Sequence, residues 1–144
     1  RALSFIEKHN KKYQSAFTLD DFLNKTGEFG SFGFLCGGYV PYVTDDAYKL
    51  AKLVKENDTT TLKILASSFF AQDRAYGCAG LFFLQLRGKT LSQKMIDLIK
   101  LNQQSQIKIY TCGGCIIDKE PLSIALEKLK LEGLYQFLIK WELL

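Results

Sequence analysis

The stretch Asp73–Arg87, DRAYGCAGLFFLQLR, constrains this chain more than any other. Between Tyr76 and Leu86 its only polar side chain is Gln85. It holds no proline, opens on a charged pair and closes at Arg87-Gly88, where a glycine can end a helix. A helix that is apolar nearly all round is a buried helix. The run is well short of the roughly 20 residues that cross a bilayer, so it reads as core and not as a transmembrane segment. Its first half is small (Ala75, Gly77, Cys78, Ala79, Gly80), which lets neighbouring helices approach the backbone. Its second half is large (Leu81, Phe82, Phe83, Leu84, Leu86). The run predicts a central helix on which the others pack.

The rest of the sequence permits that arrangement. The chain has 144 residues, enough for one domain, and 47% are apolar, enough for a real core. Only Pro41 and Pro121 interrupt it, so long helices are allowed. We expect one helical domain over residues 1–144, either whole or cut from a longer protein, since the first residue is Arg1 and not Met. The net charge of +4 is carried almost wholly by lysine, with arginine only at Arg1, Arg74 and Arg87. Arginine supplies much of bidentate base and phosphate recognition. Scattered lysine reads instead as a solvated face, and nucleic acid is not an expected partner.

Along the chain, Ala2–Phe17 has loose helical spacing, with Leu3, Ile6, Tyr13 and Phe17 apolar and His9 in a polar stretch that reads as surface. Thr18-Leu19-Asp20-Asp21 is a capped helix start, with Phe22 and Leu23 expected inward. Gly27–Tyr39 interleaves glycines with Phe29, Phe32, Phe34 and Tyr39. Without a preceding strand and a following helix it is no phosphate loop. It reads as a loop packed by its own aromatics, or as the wall of a ligand site. Tyr39–Val43 is extended because Pro41 biases Val40 away from helix. Thr44-Asp45-Asp46 caps a helix whose stripe is Ala47, Leu50, Ala51 and Val54. Thr59–Thr61 caps another, with Leu62, Leu65, Ala66 and Phe69 inward. Leu91, Met95, Leu98, Ile99 and Asn102 carry a third stripe. Ser105–Thr111 alternates as a short extended piece, able to form a two-stranded ribbon with Tyr39–Val43. Asp118–Pro121 reads as the start of a helix with Leu122, Ala125, Leu126 and Leu129 inward and Pro121 in its first turn. Leu134, Phe137, Leu138 and Trp141 form a last stripe, which would be exposed if a following repeat had been removed.

The fold class predicted is all-α, with a short extended or ribbon element near residues 39–43 and 105–111. The pair made by Thr60–Ser68 and the central run, which opens Asp73-Arg74 and continues with Ala75, Cys78, Ala79 and Leu81, resembles a HEAT-type helical repeat over residues 44–104. The resemblance implies helical pairs stacked into a protein-binding surface, with Asp73 and Arg74 as candidates for an ion pair between neighbouring repeats. A compact multi-helix bundle is the alternative architecture.

Chemistry is sparse. Cys112-Gly113-Gly114-Cys115 can form a tight disulfide, exchange thiols or supply half of a zinc site. Zinc would need two more ligands from Cys36, Cys78 and His9, and Cys78 lies in the apolar run, where a core role is expected. The structural reading is a loop tied by Cys112–Cys115, or a bridge from one of them to Cys36 or Cys78. Four cysteines and two Asn-x-Thr sequons, at Asn24 and Asn57, tilt the chain toward a secreted or periplasmic setting, with a cytosolic protein carrying four free thiols as the alternative. Asp20-Asp21 and Asp45-Asp46 are explained as helix starts, and no nucleophile–base set stands out. No metal or cofactor is expected. The leading functional expectation is a non-enzymatic domain that binds another protein. The alternatives are a small helical protein holding an apolar ligand or lipid, and a thiol–disulfide or metal protein using the CGGC motif.

Overall fold

The computed structural model describes residues 1–36, 42–113, 116–128, 136, 138–140, 142 and 144. Among these, seven helices and two short antiparallel ribbons are defined. The helices are α1 (Ala2–Tyr13), α2 (Leu19–Asn24), α3 (Asp45–Lys55), α4 (Thr59–Ala66), α5 (Ala71–Leu86), α6 (Gln93–Gln103) and α7 (Leu122–Lys128). The first ribbon pairs β1 (Leu35–Cys36) with β2 (Tyr42–Val43). The second pairs β3 (Lys108–Gly113) with β4 (Ile116–Pro121). The protein is mostly helical.

The apolar run is the centre of the molecule. Every residue of α5 from Asp73 to Leu81 is buried, and α3, α4, α6, α7 and β3 all pack on it. The small residues do what their size suggests. A Cβ on Gly77 would collide with the backbone nitrogen of Ala66, so the end of α4 lies directly on α5 at this point. A Cβ on Gly80 would meet the methyl groups of Leu62 and Leu50 instead. The predicted stripes of α3 (Ala47, Leu50, Ala51, Val54) and α4 (Leu62, Leu65, Ala66) are buried. So are Met95, Leu98 and Asn102 of α6. Side chains cap all three helices: Thr44 Oγ1 accepts from the Ala47 amide, Ser92 from Met95, and Asp58 from Thr61, so that Thr59–Thr61, expected as the cap of α4, is instead its first turn.

The extended pieces pair differently from the expectation. Ser105–Thr111 does not form a ribbon with Tyr42–Val43, the described part of Tyr39–Val43, which pairs with Leu35–Cys36. Its partner is the segment after the CGGC motif, in a ladder from Lys108 opposite Pro121 to Gly113 opposite Ile116. Asp118–Pro121 is therefore the end of a strand, and the helix starts only at Leu122. Two residues separate Gly113 from Ile116, a hairpin spacing, and Ile116-Ile117 supplies β-branched residues. Asp118 and Pro121 imitate a cap and first turn, but the backbone between them is committed to the ladder. Tyr39, Val40, Pro41, Leu129 and Gly133 lie outside the described residues, as do Leu134, Phe137 and Trp141 of the last stripe; Leu138 is buried.

Two further expectations at the N-terminus are corrected. Phe22 and Leu23 do not face inward: Leu23 is 67% exposed and Phe22 37%. The helix α2 has six residues and packs on α1, and the Phe22 ring reaches only the rings of Phe5 and Phe69, each 5.5 Å away. His9 is not a surface residue. It is buried, with its ring 4.5 Å from Tyr13 and 4.6 Å from Phe69.

The contrast between the two glycines of α5 gives a test. Gly77→Ala should lower stability by about 3 kcal/mol, because the α4 backbone must move. Gly80→Ala should cost about 1 kcal/mol, because leucine methyls can turn away and alanine favours the helix. Chemical denaturation of the two variants would reverse this order if α4 did not rest on Gly77.

Candidate functional site

Among the described residues, the buried polar and charged side chains are His9, Ser67, Ser68, Asp73, Arg74 and Asn102. All six meet where α4 ends and α5 begins. Asp73 and Arg74 do not form the expected ion pair with each other. Asp73 Oδ1 accepts from the backbone amides of Glu28 and Phe29, each at 2.9 Å, and so holds the start of the Gly-Phe loop. Burial pushes its carboxyl pKa up, against the pull of those two amides. Arg74 turns to the other side. Its Nη1 donates to the carbonyls of Ser68 (2.7 Å) and Phe69 (3.1 Å), just past the end of α4. Its Nε donates to Asn102 Oδ1 (3.1 Å), and its guanidinium lies 5.0 Å from the centre of the Tyr13 ring. Asn102 Nδ2 in turn donates to the carbonyls of Ala66 and Leu98, each at 2.9 Å. His9 Nε2 meets the Ser67 carbonyl at 2.7 Å. An unpaired buried group of this kind costs ~1–3 kcal/mol, and among the described residues no buried side-chain polar atom lacks a partner. The cluster fastens α1, α4, α5, α6 and the loop to one another.

One turn along α5, Tyr76 does the same for the aromatic loop. Its hydroxyl donates to the Ser31 carbonyl at 2.6 Å and accepts from the Gly33 amide at 3.2 Å. Phe29 stacks on its ring at 4.4 Å, and Phe32 meets it edge-on at 5.0 Å. Phe34 sits 6.0 Å from it and 5.8 Å from Phe83. The three ligand-loop candidates Phe29, Phe32 and Phe34 are thus placed in the core; Tyr39 lies outside the described residues. The loop is also bonded to β3, with Phe32 and Cys112 or Tyr110 exchanging backbone bonds at 2.7 and 2.9 Å. A Cβ on Gly33 would collide with the Cys112 carbonyl, so glycine is required for this approach.

The cysteines divide. Cys36 and Cys112 lie at disulfide distance, with Cα atoms 5.7 Å apart and a sequence separation of 76. Cys78 is a free, buried thiol, pushed up to about 12 by burial, with an inert core position. Cys115 lies outside the described residues. Among the described residues no group of three or more His, Cys, Asp and Glu side chains could hold a metal ion.

The surface next to the buried cluster carries a groove. The α1–α2 loop, α2, α4 and the start of α6 border an open groove of about 410 Å³ lined by Ala16, Phe17, Lys25, Lys63, Ile64 and Lys94, among others. Its loop wall is braced by Asn10. The Asn10 amide donates to the Phe17 carbonyl at 2.8 Å, while its oxygen accepts from Ser15 Oγ (2.8 Å) and the Phe17 amide (3.0 Å). A reciprocal capping box between Thr18 and Asp21 fixes α2 beside it. The backbone amide of Thr18, then Lys25 and the Thr18 hydroxyl, hold the Asp21 carboxyl down to about 2. Sequence reasoning missed this groove because it is built from four separate segments. It also missed His9, although Ile6, His9 and Tyr13 share one helical face at spacings of three and four.

Two measurements test this description. Desolvation lowers the His9 pKa below its usual 6.5, with Arg74 and Lys12 adding to it and the Ser67 bond opposing it. The folded state then binds fewer protons than the unfolded one, so stability is full above about pH 6.5 and falls as pH drops through that value. Asp73, shifted upward, acts in the opposite sense at the carboxylate end of the scale. Melting temperature should therefore fall between about pH 7.5 and pH 5.5, and the fall should shrink in His9→Gln. For the thiols, Cys36→Ser should cost about 2–4 kcal/mol. Native alkylation should leave Cys78 unmodified until denaturant is added; rapid native labelling of Cys78 would contradict its placement. No protein-family model, no curated protein and no solved structure matches the chain.

Proposed function

We propose that this chain is a non-enzymatic helical interaction domain whose partner is another protein. The observation that carries the reading is the apolar side chains left in solvent on two consecutive helices: Leu3 and Phe5 on α1, and Leu19, Phe22 and Leu23 on α2. Their mount is rigid, since α1 is locked to α4 through His9 and α2 is fixed by its capping box. In this reading α4 and α5 are a HEAT-like helical hairpin, with Asp73 and Arg74 serving junctions within the domain. The polar groups that would otherwise suggest chemistry spend their bonds on that junction.

The rival readings draw less support. An apolar ligand behind the Gly-Phe loop would compete with Tyr76 for Phe29, Phe32 and Phe34. A thiol-exchange role for CGGC would start from a Cys112 already joined to Cys36. That bridge favours an oxidising, secreted or periplasmic setting. Among the described residues no helix is long and apolar enough to cross a membrane.

The test places a benzoylphenylalanine photolabel at position 22 of the full chain and irradiates it in an extract of the cells that produce it. One predominant protein adduct is expected, lost in Leu23→Asp and absent when the label replaces Tyr48, which is 55% exposed on α3. No adduct at position 22, or the same adducts at both positions, overturns the reading.

A further inference from the structure

We propose that the groove between the α1–α2 loop and α4 binds an acidic peptide segment of the partner protein, anchored by an apolar side chain. The proposal rests on the interaction-domain reading and adds the chemistry of the partner.

Lys25, Lys63 and Lys94 line the groove from three different places, the residue after α2, α4 and the first turn of α6. The only acid in the lining is Asp21, giving three positive charges against one negative, a balance of +2. Asp21 is already engaged by Lys25 at 2.9 Å. Among the described residues no ion pair engages Lys63 or Lys94. Two cations thus face one concavity without a counter-charge, and an acidic ligand supplies what they lack.

The floor of the groove is apolar. Ile64 is 49% exposed although it sits on a core helix, and Phe17 and Ala16 stand across from it. The Lys25 ammonium lies 5.2 Å from the centre of the Phe17 ring, so charge and apolar surface are interleaved. A smaller cavity of about 90 Å³ shares Phe17, Lys25 and Ile64 and runs on to Leu65, Phe69 and Phe70, with Asp73 and Glu28 at its lining too. Asp73 is committed to the amides of Glu28 and Phe29, and the exposed Glu28 side chain adds a carboxylate here, so this recess suits an apolar side chain and a ligand's carboxylates belong at the Lys63 and Lys94 end. A side chain entering it and carboxylates meeting Lys63 and Lys94 would use both parts together.

The three lysines border an open groove that also carries Ala16, Phe17 and Ile64, a mix of charge and apolar surface that suits a peptide with acidic and apolar side chains. The hollow is also preformed: Asn10 braces its loop wall with three hydrogen bonds, which lowers the ordering cost of binding.

The experiment titrates the full chain with a fluorescein-labelled peptide of alternating glutamate and leucine and its lysine-for-glutamate counterpart. It also uses vesicles of phosphatidylglycerol and phosphatidylcholine. Binding is followed by anisotropy and by amide chemical shifts. The glutamate peptide should bind, shift Ala16, Phe17 and Ile64, and weaken with added salt. Lys63→Glu with Lys94→Glu should weaken it at least about tenfold, and Lys63→Arg with Lys94→Arg should restore it. Ile64→Asp should weaken it with the charges intact. Equal binding of both peptides, indifference to charge reversal, no binding, or vesicle binding alone through the two lysines would each overturn the proposal. If the photolabel at position 22 still captures its protein, the interaction-domain reading survives that failure; if it captures nothing, both fall.

Discussion

Arg74 is a buried cation with no carboxylate at ion-pair distance among the described residues, and much of the fold depends on how it is satisfied. Its partners are two carbonyls beyond the end of α4, one amide oxygen on α6 and the face of Tyr13 on α1. The carbonyl end of a helix carries partial negative charge, so a guanidinium placed there is compensated without a formal anion. The arrangement is specific because the fork of donors can be filled only when three helices stand in one relation. The adjoining Asp73 performs the mirror task, taking two backbone amides from the loop that α4 and α5 must hold. Two neighbouring residues of opposite charge thus serve different junctions.

Much of this was legible in the sequence, and the limits of that legibility have physical causes. The helices α3, α4 and α6 were readable because each combines a stripe at helical spacing with a polar residue close to its start. The centrality of α5 followed from the loss of any polar face. The hairpin β3–β4 was not readable as such. A strand ending in Asp-Lys-Glu-Pro presents the same residues as a helix start, and only the cross-strand ladder decides between them. The inward reading of Phe22 and Leu23 failed because periodicity shows which residues share a face without showing what lies opposite that face.

The candidate sites show the same division. Phe29, Phe32 and Phe34 stood out by composition, but their destination depends on Tyr76, more than forty positions away. Cys112 could be marked as a bridging residue, with Cys36 among its possible partners, and choosing between them required the loop to be laid against β3. Asn102 was visible on an otherwise apolar stripe, and an amide in such a place points to a buried polar partner. The groove could not be seen at all, because its lysines come from segments far apart in sequence and only their convergence is informative.

The bridge between Cys36 and Cys112 has a topological consequence. It closes the intervening chain, including α3, α4, α5 and α6, into a covalent ring, while α1–α2 and β4–α7 hang outside it as tails. A single backbone cut inside the ring, for example at the exposed turn around Gly88, leaves the molecule in one covalent piece under oxidising conditions. A cut between α2 and β1 leaves the N-terminal arm held only by non-covalent contacts such as the His9–Ser67 bond. The apolar face assigned to the partner therefore sits on a part of the molecule that proteolysis can sever, while the core that positions it stays linked.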